Sequence, residues 1–249
     1  MTEEQWQIFC NFKTDLKQKI DYWTALAPEL GALQKKAAEF ADTPLYPFEI
    51  PIVYNKALDD ITPEDDIKLI VIGDNPGKDE QLSRNSRYLV GQAGKIAEGY
   101  FKENPELGID FRRNVIILNK TPVHSAKTTQ LKTIIKMGGE KISSLIQESQ
   151  IWMAEQTAAL HTALNTELWL VGYSELKPKG IFSAYRETLK ENCTKESWKR
   201  VFVFQHFSMN RFTIDLAEYI KNNQENSTAK SLSQNIHELG ILHRKEIFL

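Results

Sequence analysis

"IKLIVIGDNPG", residues 67–77, couples an almost unbroken apolar run to an abrupt polar turn. Three later runs share its character: NVIILN (114–119), ELWLVG (167–172) and RVFVFQ (200–205). Each is too short for a stable helix, rich in β-branched or aromatic residues, and apolar on both alternate sets of positions, which predicts strands covered on both faces. Helix-compatible stretches separate the four. This alternation predicts an α/β fold, a three-layer αβα sandwich around a central four-stranded parallel sheet.

Working outward, residues 3–40 read as helical, with Trp6, Phe9, Phe12, Leu16, Ile20 and Trp23 spaced by three or four and a break at Ala27-Pro28. TPLYPFEIPIVYN (43–55) carries three prolines and reads as an extended connector leading into the first strand. Gly138-Gly139 is expected to divide the long helical stretch between the second and third strands. Asn222–Ser233 reads as a polar loop before a last amphipathic helix. We expect one domain over 1–249, with an N-terminal helical region (1–43) and a C-terminal helical extension (213–249). No repeat or low-complexity tract occurs.

With 26% charged and 41% hydrophobic residues, the composition is that of a globular chain. No basic leader with an apolar core opens the sequence, and no apolar run reaches the roughly 20 residues needed to span a bilayer, so a cytoplasmic protein without a membrane partner is expected. The cysteines, Cys10 and Cys193, are isolated, which argues against a disulfide framework, a thiolate metal site or an iron–sulfur cluster. Neither metal nor cofactor is expected. Net charge is −2, yet Phe111–Gly139 holds Arg112, Arg113, Lys120, Lys127, Lys132 and Lys136 with no acid, either a local positive face or a solvated helix surface balanced elsewhere.

In parallel sheets, ligands sit beyond the carboxyl ends of the strands. The residues delivered there are Asp74-Asn75-Pro76-Gly77, Asn119-Lys120, Gly172-Tyr173-Ser174 and His206-Phe207-Ser208-Met209-Asn210-Arg211. Taken singly each has a structural reading: D-N-P-G as turn punctuation, Asn119 as a cap, His206 as a core histidine.

Together, in order, they resemble the uracil-DNA glycosylase superfamily. Gly73-Asp74-Asn75-Pro76-Gly77 is similar to its first-strand turn. Asp79-Glu80 and Val90-Gly91-Gln92-Ala93-Gly94 resemble the branch whose members carry V-G-x-A-G, Asn119 matches its strand-end asparagine, and His206-Phe207-Ser208 its H-P-S element. The likeness runs from about residue 45 to 215. It implies a glycosylase fold and DNA containing uracil or another damaged base as partner, flipped into a pocket, with a monomeric enzyme expected.

By that resemblance, Asn119 reads the base edge, His206 donates to the pyrimidine O2, and Asn75 orients the attacking water, with Asp74 the second candidate base. Gly73, Pro76, Gly77, Leu89 and Tyr88 are expected around the base. Leu89 stands where an aromatic stacks in the family, and Tyr88 is the candidate to replace it. Phe207 replaces the family's proline, and Met209 and Asn210 stand where the family inserts a wedge into the vacated base stack, Met209 as the better apolar candidate. Lys120, Lys127, Lys177, Lys179 and Arg211 are expected on the DNA backbone and Ser208 and Asn210 also among the DNA-binding residues, whereas Arg112 and Arg113 lie at the far end of their strand. The acid pair Asp79-Glu80 reads as early-helix charge. A non-catalytic member binding nucleic acid or a protein is the alternative. An unrelated nucleoside enzyme is a third reading, although the chain lacks the G-x-x-x-x-G-K-[ST] or G-x-G-x-x-G loops of ATP or NAD sites.

Overall fold

The computed structural model describes residues 1–223 and 230–248. Four strands, β1 (Leu69–Gly73), β2 (Val115–Asn119), β3 (Glu167–Val171) and β4 (Val201–Phe204), form one wholly parallel sheet in the order β2-β1-β3-β4. The helices are α1 (Glu3–Leu26), α2 (Leu30–Phe40), α3 (Gln92–Glu103), α4 (Gln130–Leu164), α5 (Ser183–Asn192), α6 (Lys195–Trp198), α7 (Arg211–Asn223) and α8 (Leu232–Ile247).

The two-residue period of the strands sorts their side chains into two cores. Ile70, Ile72, Ile116, Leu118, Leu168 and Leu170 face α1, α2, α4 and α5. Leu69, Val71, Ile117, Trp169, Phe202 and Phe204 face α3, α7 and α8. This is the three-layer arrangement expected from the apolar runs, whose predicted limits differ from the observed strands by at most two residues.

Local chemistry explains the boundaries. Thr2 and Gln5 form a reciprocal capping box at the start of α1, and the helix buries Phe9, Phe12, Leu16, Ile20 and Trp23. Gly139, at φ +64, breaks α4 as anticipated from the glycine pair. Ser231 and Gln234 cap α8 in the same way as α1. Of the predicted polar loop 222–233, residues 224–229 lie outside the described residues.

Both sheet edges are covered, which blocks strand addition there. On the β2 side the proline-rich connector runs past: Val53 N–H donates to the Pro122 carbonyl at 2.9 Å, and Asn55 Nδ2 to that of Ile117 at 2.8 Å. On the β4 side α8 contributes Ile236 and Leu239 to one core and Ile247 to the other, and its Arg244 donates to the Val201 carbonyl at 2.9 Å. Among the described residues no helix is long and apolar enough to cross a membrane.

Candidate active site at the strand tips

The carboxyl ends of all four strands open onto one cavity of about 830 Å³. Gly73, Asp74, Asn75 and Gly77 line it from β1, Asn119 from β2, Gly172 from β3 and His206 from β4. Residues separated by more than 130 positions are thereby brought to one hollow.

Asn119 is the last residue of β2 and only 2% exposed, and its Nδ2 has no hydrogen-bond partner among the described residues. A buried orphan amide destabilises a fold by about 1–3 kcal/mol. Its neighbour on β1 must be glycine, since a Cβ at Gly73 would lie 2.5 Å from Asn119 Oδ1. The arrangement leaves a buried donor unpaired on a residue that lines the cavity.

Asn75 is oriented oppositely. Its Nδ2 donates to Ser125 Oγ at 2.9 Å, the Ser125 carbonyl at 3.3 Å and the Pro76 carbonyl at 3.2 Å. Carbonyls only accept, so the amide nitrogen is fixed on that side and Oδ1 is left as an acceptor without a partner among the described residues. The turn itself is anchored by His124, whose Nδ1–H donates to the Pro76 carbonyl at 2.8 Å while Nε2 accepts from Tyr46 Oη at 3.0 Å. Burial pushes His124 down to about 4, so it serves as a neutral strut.

His206 has a tautomer set by its own loop. The Ser208 backbone N–H donates to Nδ1 at 3.1 Å and the Ser208 hydroxyl lies at 2.8 Å, so Nδ1 is an acceptor and the proton resides on Nε2. Burial also holds the imidazole below the ordinary histidine range, favouring the neutral form. Phe207 turns away from the cavity into the aromatic core, beside Phe111 and Phe212, with φ −65°. A proline has the same φ, so the backbone of this element is preserved by a side chain that anchors it.

Three expectations need correction. Lys120 is fully buried, and its Nζ donates to Asp74 Oδ1 at 2.6 Å, the Val171 carbonyl at 2.6 Å and the Gly73 carbonyl at 3.3 Å, so it cannot touch a phosphate. Tyr88 is 1% exposed in the core with its hydroxyl donating to the Val53 carbonyl at 2.6 Å, and cannot stack on a ligand. Residues 78–81 form turns, so Asp79-Glu80 begins no helix; Glu80 is buried against the Gly77 N–H at 3.1 Å, and burial raises its carboxyl to about 7.

Leu89 does line the cavity, at φ +50, a strained geometry for a branched side chain. Its carbonyl accepts from Arg112 Nη2 at 2.8 Å and runs so close to Gly94 that a Cβ there would sit 1.5 Å away. The V-G-x-A-G segment thus positions Leu89. Lys127, Ser208, Met209 and Arg211 also line the cavity, with Met209 70% exposed at its lip. Pro76 is buried behind the turn, Asn210 is exposed beside the lip, and Lys177 and Lys179 are exposed on the loop after β3, outside the hollow.

Sequence reading passed over Ser125, which orients Asn75, and Thr128, whose hydroxyl donates to Asp74 Oδ2 at 3.3 Å. Nothing in TPVHSAKTT distinguishes these hydroxyls from ordinary loop residues. Comparisons with protein-family models, curated proteins and solved structures found no match to this chain.

Proposed function

We propose that this protein hydrolyses the N-glycosidic bond between deoxyribose and uracil, or another deaminated or damaged base, in DNA. The observation that carries the reading is the convergence on one cavity of an unpartnered carboxamide donor, a free amide acceptor and an Nε2-protonated neutral imidazole. A stacked base is out of reach of any such site, so the nucleotide must be flipped into the hollow.

Asn119 then pairs with the base edge: its Nδ2 donates to a ring carbonyl and its Oδ1 accepts from the adjacent ring N–H, a pattern cytosine cannot match. As the bond from C1′ to the base breaks, its electron pair leaves with the base, and His206 Nε2–H donates to the oxygen on which charge accumulates. A preorganised donor of this kind contributes about 10²–10³ in rate. A water accepted at Asn75 Oδ1 adds to the electron-poor C1′ and its proton is lost to the departing base or solvent. The products are free base and an abasic site. Asp74 is the poorer base, because one of its oxygens is held by Lys120 and the other by Thr128.

Electrostatics support a polyanionic partner once the pairs are resolved. Asp74 is matched by Lys120, Glu175 lies 3.7 Å from Lys132, and Glu80 is about half protonated near neutrality. Asp79 is left among Lys78, Lys127 and Arg211 on the cavity lining, with Lys177 and Lys179 exposed nearby.

Aliphatic Leu89 in the stacking position favours a second reading, a member that binds flipped or single-stranded nucleic acid without cutting it. Incubation with oligonucleotides carrying uracil, hypoxanthine or xanthine decides between them. Release of free base supports catalysis; salt-sensitive binding with no release from any of them supports the second reading.

A further inference from the structure

The cavity wall poses an electrostatic problem. Asp74 and His206 face the same hollow, and an unpaired carboxylate there would favour the imidazolium, which cannot keep Nδ1 as the acceptor of the Ser208 N–H. Beneath the wall lies Lys120, with all three of its protons engaged, by Asp74 Oδ1 and by the last carbonyls of β1 and β3. The seat is built for this pair: a Cβ at Gly172, φ +86, would fall 2.4 Å from Asp74 Oδ1.

We propose that Lys120 is a positioning residue for the site, a buried counter-charge that clamps Asp74 between the tips of β1 and β3 and so keeps the neighbouring His206 neutral and its Nε2–H available. The proposal rests on the reading of His206 as the donor to the departing base.

The other charges facing the hollow are Lys78, Asp79 and Glu80 after β1, Lys127 after β2, Glu175 after β3, and Arg211 at the start of α7. Of the whole set, Asp74 and Lys120 act on the imidazole, the carboxylate drawing its titration up and the ammonium pushing it down, on top of the larger effect of burial. Lys120 therefore works twice, by its own charge and by occupying Asp74.

The test is the titration of the His206 ring in the full-length protein, followed by NMR of histidine-labelled protein and assigned by its loss in H206Q. Lys120→Met is expected to raise the His206 midpoint by about 1, and the acid limb of base release should move with it. Asp74→Asn should lower the midpoint. Where Lys120→Met does not fold, the double variant K120M/D74N keeps the volume of the pair and removes both charges. Its midpoint should then lie above that of Asp74→Asn, since only Lys120 differs. An unchanged midpoint in Lys120→Met, or equal midpoints in the last two, overturns the proposal. Because the ring titrates whether or not base is released, this failure is distinct from failure of the glycosylase reading.

Discussion

A carboxamide at the end of a strand is usually satisfied by the loop that follows, and Asn119 is not. Replacing it with leucine removes the orphan donor, so Asn119→Leu is expected to abolish base release while raising stability by about 1 kcal/mol, read as a higher denaturation midpoint. Asn75→Ala should lower single-turnover release by about 10²-fold or more with a smaller loss of DNA affinity, because it removes the proposed acceptor for the water and, with it, the Nδ2 bonds that pin the turn to Ser125. Equal loss of both would assign Asn75 to binding. Lys120 offers no free amine, being unexposed with every proton committed. Borohydride is therefore expected to trap no protein–DNA imine, leaving base release without strand cleavage. These roles differ in how visible they were in the sequence. Asn75, Asn119 and His206 stand at strand ends, where the parallel topology alone dictates the edge they reach. Lys120 and Tyr88 were misread because the path of the next few residues decides whether a side chain turns toward solvent or under the sheet, and no local pattern encodes that.

The turn after β1 is held from two sides by buried titratable groups with opposite linkage. Glu80 keeps its proton up to about 7 in the native chain, against about 4.5 when exposed. The folded protein thus binds more protons in that window, and the stabilisation is complete below the lower value and lost as pH rises through the upper one. Glu80→Gln should consequently match wild type near pH 4 and exceed it by roughly 3 kcal/mol above pH 7, measured by denaturant unfolding across pH. His124, held down to about 4, has the reverse sign: its contribution is complete above the ordinary histidine value and lost as pH falls. The four strands were legible because burial on both faces leaves a run with almost no polar interruption. Glu80 was not, since an acid pair beside a turn reads equally as helix-start charge, and only the observed absence of a helix at 78–82 reveals it as buried.

At the scale of the molecule, two apolar cores on opposite faces of one sheet fix the strand tips relative to one another, and α8 ties the cores together past β4. A Cβ at Gly240 would lie 2.7 Å from the Phe202 Cβ and from the Phe204 ring, so Gly240→Ala is expected to lift α8 and cost about 1–3 kcal/mol in unfolding free energy. The layer order was readable from strand–helix alternation, whereas the covering of both edges depends on long-range packing that no local spacing announces. If the basic rim serves DNA, Lys127→Ala and Arg211→Ala should each reduce the slope of log affinity against log salt by about 1, seen by fluorescence anisotropy. The most direct test of the whole account is single-turnover incubation of the intact protein with an oligonucleotide carrying one deoxyuridine, with chromatographic detection of the base. Free uracil, an abasic strand and near-complete loss of both in His206→Gln are predicted. Absence of released base from this and from hypoxanthine and xanthine substrates, with protein that is folded and binds the DNA, would contradict it.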